Sequence, residues 1–192
     1  MLKLRKGCKV PFPEKLQEGY TRNGRQITAN VSADKIAQIM MHFIKLHDEP
    51  MFFILEIPSN LKDEAEIANV RHKDIYYIDG CSADEALNIL HQIGELVIND
   101  GMSAFGFGGH RSQDEIMFDK YNVTTLFSRE PSKFDGFFEE HDIPRADHLI
   151  TAWDTFSQDH PGECQIVTTD GQDIYSIPER YGGMYKAEQR EC

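Results

Sequence analysis

Residues 104–108 read Ala-Phe-Gly-Phe-Gly, and this pentapeptide restricts the fold more tightly than any other short stretch. A strand turns successive side chains to opposite faces, so Phe105 and Phe107 share one face while Gly106 and Gly108 leave the other nearly bare. Glycine inside a strand marks close approach of something else. The helix that begins at Ser82 is the expected neighbour of the bare side, because Gly94 interrupts its apolar stripe at a cost of ~1 kcal/mol against alanine.

That helix has the clearest local signature in the chain. Ser82-Ala-Asp-Glu85 is a capping box, Ala86, Leu87, Leu90, Ile93, Val97 and Ile98 form the stripe, and Asn99-Asp-Gly101 supplies the stop. Ser32 caps an earlier helix over roughly residues 33–47. Met51 to Ile57, apolar on both faces apart from Glu56, predicts a central strand covered on both sides, and Asp74 to Asp79 predicts its neighbour. Between them, residues 59–73 read as a long connection and a candidate lid. Residues 102–128 hold two or three strands around a polar, glycine-rich turn.

Pro131 opens an expected helix with Phe134, Phe137 and Phe138 on its buried face, ending near His141. Leu149, Ala152, Trp153 and Phe156 predict another over residues 146–156, with Trp153 as a core anchor. Asp170-Gly171, flanked by Cys164 to Thr169 and Gln172 to Ile177, predicts a hairpin.

This order of elements predicts one α+β domain: a mixed, mainly antiparallel sheet of about six to seven strands with three to four helices packed on it. Residues 31–192 form the acidic domain. Residues 1–30, with Gly7, Pro11, Pro13, Gly19 and Gly24, read as an irregular basic arm.

Composition narrows the class. With 192 residues one core suffices, and a 10% aromatic share excludes the disordered class. Net charge is -12, unevenly placed: Lys3, Arg5, Lys6, Lys9, Lys15, Arg22 and Arg25 against Glu14 and Glu18 make residues 1–26 net +5, leaving -17 on the remainder. An acidic body repels nucleic-acid phosphates and attracts basic partners. Cys8, Cys81, Cys164 and Cys192 form no Cys-x-x-Cys pair, so free thiols in a reducing compartment are expected. No signal-peptide pattern and no apolar run of membrane-spanning length is found. The expected location is the cytoplasm.

Three groups of residues could carry chemistry. In Gly106-Phe-Gly-Gly-His-Arg, the backbone at Gly108 and Gly109 could turn amides toward an anion and Arg111 could donate to it in bidentate fashion. Arg111 stands where a Gly-x-Gly-x-x-Gly fingerprint needs its third glycine, so a strand followed by a wide turn is the competing reading. His110, Asp114 and Glu115 could approach a divalent metal, but Asp114 and Glu115 are adjacent and face opposite ways on a strand, and no metal or cofactor is expected. The third group is Glu139-Glu-His-Asp142 with Asp147-His148 and Asp159-His160, which forms an acid/base site only if loops bring them together and otherwise decorates solvated helix ends.

No nucleophile elbow is present. The function expected is that of a small acidic protein-interaction module, of inhibitor or immunity type and bacterial character, without catalytic activity and binding a basic protein partner. The alternative is a small-ligand protein or hydrolase-like enzyme whose pocket lies over the Gly106/Gly108 face, with His110, Arg111 and Asp114 as polar groups and residues 59–73 as lid.

Overall fold

A computed structural model describes residues 1–59, 73–181 and 184–186. The expected lid, residues 59–73, lies almost wholly outside them.

The strands are β1 (Cys8–Lys9), β2 (Gly19–Asn23), β3 (Gln26–Asn30), β4 (Met51–Pro58), β5 (Lys73–Cys81), β6 (Ala104–Gly109), β7 (Glu115–Phe118), β8 (Val123–Phe127), β9 (Glu163–Cys164) and β10 (Tyr185–Lys186). Eight of them make one sheet in the order β10-β5-β4-β6-β7-β8-β3-β2, every pairing antiparallel, and β1 pairs with β9 separately. The described α-helices are α1 (Ile36–Lys45), α2 (Ala83–Asn99) and α3 (Ser176–Arg180). The architecture is the expected α+β one.

Side-chain alternation fixes which face is the core. Phe53 stands opposite Phe107 and Leu55 opposite Phe105, and these four share one cluster with Ile36, Met40 and Phe43 of α1 and Ile89, Ile93 and Val97 of α2. Both helices therefore lie on the phenylalanine side of β6. The expectation that α2 fills the glycine side is overturned: burying Phe105 and Phe107 demands an apolar cover, and the stripe of α2 is that cover. Gly94 meets no close neighbour, since a Cβ there would find only Leu90 and Ile98 of its own helix at 3.5 and 3.9 Å.

The glycine side is filled from within the sheet. A Cβ on Gly108 would collide with the Phe52 ring, and one on Gly106 with the Ile116 carbonyl and the Met117 sulfur. Phe52 and Met117 come from the flanking strands, opposite Gly108 and Gly106 respectively.

Residues 1–30 are not irregular throughout. Tyr20 to Asn23 pairs with Gln26 to Ala29 around Gly24 and Arg25, and Gly24 has φ +60, which suits the first central position of a two-residue hairpin turn. The segment before it folds onto the body. Arg5, 1% exposed, donates to the carbonyls of Val97 (2.5 Å), Ile98 (3.1 Å), Asp119 (2.9 Å) and Ser103 (3.2 Å). Asn122 donates to the carbonyls of Lys3 and Val31 and accepts from the Arg5 amide.

Three further expectations are corrected. The helix expected from Pro131 is two short 3-10 turns, Pro131–Phe134 and Glu139–His141, because Gly136 at φ +84 breaks the path between them. Residues 144–150 are not helical: their backbone bonds go to the sheet edge, Tyr20 N–H to Pro144 and Ala146 N–H to Tyr20, leaving only the 3-10 turn Ala152–Thr155. Asp170-Gly171 does turn, but only Thr169 and Gln172 bridge across it. Asp173 then caps Tyr175 through its side chain and takes the Ser176 hydroxyl on its carbonyl, which starts α3 instead of a strand.

Candidate functional site

The turn between β6 and β7 does hold an anion, but the anion is intramolecular. The Ser112 amide donates to both Glu49 carboxylate oxygens at 3.1 and 3.2 Å, and the Arg111 amide donates to Glu49 Oε2. Gly109 must be glycine for this, since a Cβ would strike Glu49 and the Ser112 hydroxyl. Burial alone would push Glu49 up, but the Ser112 hydroxyl and these two amides outweigh it and hold the carboxyl below its usual range.

The sequence-predicted residues part company around this turn. Gly108 lies beneath Phe52. His110, half-exposed, reaches Asp79 at 2.5 Å, and the Arg111 guanidinium touches the Asp48 carbonyl at 3.4 Å. Asp114 points inward, 2% exposed. His110, Arg111 and Asp114 thus take three separate partners and do not converge. Among the described residues no three His, Cys, Asp or Glu side chains are grouped to hold a metal ion.

Asp114 instead ties four segments together. Its carboxylate accepts from Ser128 Oγ at 2.6 Å and from Lys133 Nζ at 2.7 Å, and His47 Nε2 lies 3.1 Å away. His47 Nδ1 faces the Phe43 carbonyl at 2.7 Å. Burial would raise the Asp114 pKa, but Lys133, Ser128 and His47 together hold it below the ordinary aspartate value. The Ser128 hydroxyl also accepts from the Glu130 amide, so both of its roles are engaged and it is no free nucleophile. The cluster braces the end of α1, the β6–β7 turn, the end of β8 and the turn at Lys133. Sequence reading found only Asp114, because His47, Ser128 and Lys133 share no motif with it.

The third predicted group is dispersed. His141 Nε2 meets His42 Nδ1 at 3.0 Å, with Glu140 3.7 Å from the other His42 nitrogen. Burial and then His42 push the His141 pKa down. Glu139 accepts from the Tyr20 hydroxyl. His160 packs by Phe12 and Ser157, and His148 acts on Asp154, so neither joins the pair.

The sheet face away from α1 and α2 has a character that sequence reading missed. Register places Ile75 and Tyr77 of β5, Phe52, Ile54 and Glu56 of β4, Glu115 and Met117 of β7 and Phe127 of β8 on that side. Phe52, Ile75, Tyr77 and Met117 are half-buried, and Phe127 is 41% exposed. Glu56 and Glu115 sit among them: burial and then Glu56 push the Glu115 pKa up, while Glu56 accepts from Lys73 at 2.7 Å. At the β2–β3 end, Thr21, Asn23, Gln26 and Thr28 line a shallow 290 Å³ cavity roofed by Leu149 and Thr151. Alternation could not reveal this face, because Met117 of β7 and Phe52 and Ile54 of β4 point outward and are themselves apolar, so neither strand alternates polar with apolar residues.

No family model, curated protein or solved structure matches this chain.

Proposed function

We propose that the protein is an acidic protein-interaction module, of inhibitor or immunity type, that binds a basic protein partner through the face of its sheet opposite α1 and α2. The observation that carries this reading is the mixed apolar and acidic row on that face: Phe52, Tyr77, Met117 and Phe127 with Glu56 and Glu115 between them. Antiparallel sheets ordinarily turn a polar face to water, whereas aromatic residues and methionine are enriched where proteins meet. The -17 carried beyond residue 26 steers a cationic surface toward the sheet and repels nucleic acid. No helix among the described residues is long and apolar enough to cross a membrane.

Capture from the native host with the intact chain, alongside Phe127→Ser and Glu115→Lys variants, tests the proposal. It expects one basic protein bound at equal stoichiometry, with each variant weakening binding about tenfold or more at an unchanged melting temperature. Failure to recover a stoichiometric basic protein, or capture that neither substitution affects, contradicts it.

A further inference from the structure

We propose that Cys8 and Cys164 form a thiol–disulfide exchange site, in which Cys164 attacks a low-molecular-weight disulfide such as oxidised glutathione and Cys8 resolves the product into an internal disulfide. The geometry comes from the small β1–β9 pair. Cys8 and Cys164 are direct cross-strand partners, and the Gln165 amide donates to the Gly7 carbonyl at 2.9 Å. Residues 7 and 165 are thus the hydrogen-bonded pair, and residues 8 and 164 the non-hydrogen-bonded one, in which side chains stand closest, at a Cα separation of roughly 4.5 Å. That separation falls inside the range a disulfide spans. The two sulfurs are 4.0 Å apart as free thiols.

The frame around them is built mainly from backbone hydrogen bonds. The Gly7 amide donates to the Asn99 carbonyl (2.8 Å), the Gly101 amide to the Gln165 carbonyl (3.0 Å) and the Val167 amide to the Asp100 carboxylate (3.1 Å). Gly7 and Gly101 touch so closely that neither has room for a Cβ. Three distant segments therefore hold the cysteines in place, and Arg5 fastens the same junction to the end of α2.

The two thiols are unequal, which assigns their roles. Cys164 is half-buried and Cys8 is 5% exposed. The hydrogen bond from Cys8, then the Tyr121 hydroxyl, Lys120 and Arg5, outweigh burial and push Cys164 down, while the bond to Cys164 followed by burial pushes Cys8 up. A thiolate is the attacking species in exchange, and Cys164, the less buried of the two residues, is the one a small disulfide can approach.

The balance is closed by the small disulfide. The Cys164 thiolate attacks one of its sulfurs, forming a mixed disulfide and releasing one glutathione thiolate. Cys8 then loses its proton and attacks Cys164 Sγ, breaking the mixed disulfide and releasing the second glutathione. The protein gives up two electrons and two protons, and the glutathione disulfide accepts both.

The test treats the folded full-length protein with oxidised glutathione and follows intact mass and a non-reduced peptide map. Wild type should lose two hydrogens and yield a Cys8–Cys164 linked peptide, and its melting temperature should rise by about 5–10 °C because nearly the whole chain is closed into one loop. The Cys8→Ser variant should stop at a glutathione adduct on Cys164, and Cys164→Ser should form neither adduct nor link. A wild-type map with no Cys8–Cys164 peptide, or with the link through Cys81 or Cys192, overturns the proposal, and so does a Cys164→Ser variant that is glutathionylated at Cys8.

Discussion

Three glycines in similar apolar settings should respond oppositely to one added methyl group, and this is the sharpest residue-scale consequence of the packing. At Gly106 a Cβ would run into the Ile116 carbonyl, backbone that cannot step aside, so Gly106→Ala should destabilise by about 2–3 kcal/mol. At Gly108 the obstacle is the Phe52 ring, a side chain that can rotate, and the loss should be smaller. At Gly94 only ordinary contacts await, so Gly94→Ala should stabilise by up to about 1 kcal/mol through helix propensity. Urea unfolding of the three variants reads this order directly. The alternation of Phe105 and Phe107 with glycine was legible in the sequence, but not which face the helix would choose, because that depends on what Phe52 and Met117 do across the sheet.

Asp114 supplies the second residue-scale prediction. Its folded pKa lies below the ordinary aspartate value, so the stability it contributes is fully present above that value, ~3.9, and is lost as pH falls through the folded pKa. Wild type should therefore lose stability on acidification below about pH 4, and Asp114→Asn should show a shallower acid limb. At neutral pH the same variant should be destabilised by about 3 kcal/mol, since Lys133 and His47 lose a buried carboxylate.

Among the elements, α2 was the most readable, because its capping box and stripe are local. Both hydrogen bonds of the box form between Ser82 and Glu85. Its far end was not readable, because the group that satisfies its last carbonyls is Arg5, more than ninety residues away. Replacing Arg5 with Met should cost about 3 kcal/mol by leaving buried carbonyls without donors. Arg5→Lys should recover little of this, since an ammonium lacks the guanidinium fork. Hydrogen exchange should show the loss as faster opening of residues 5–9, 120–122 and 163–167, with the middle of α2 still protected. The β2–β3 hairpin was also within reach: Asn23-Gly24 is a turn signal, obscured by the other glycines and prolines of residues 1–30. Asp170-Gly171 failed as a hairpin for the opposite reason, as its turn forms but Asp173 diverts the chain into α3.

At the scale of the whole molecule, eight antiparallel strands carry α1 and α2 on one side, and the other side presents aromatics and acids with its own glycines already filled. The polar residues around the glycine-rich turn bind one another: Glu49 occupies the amides and Asp114 gathers Ser128, Lys133 and His47. Among the described residues, the sheet surface opposite α1 and α2 turns Phe127 outward beside half-buried Phe52, Tyr77 and Met117. Radical footprinting of side chains in the isolated protein and in its complex with the captured basic partner tests that assignment most directly. Met117, Tyr77, Phe52 and Phe127 should be protected in the complex, with Met41 on the exposed side of α1 labelled as before. Protection of Met41 and the outer helical surface, with Met117 and Phe127 unchanged, would contradict it.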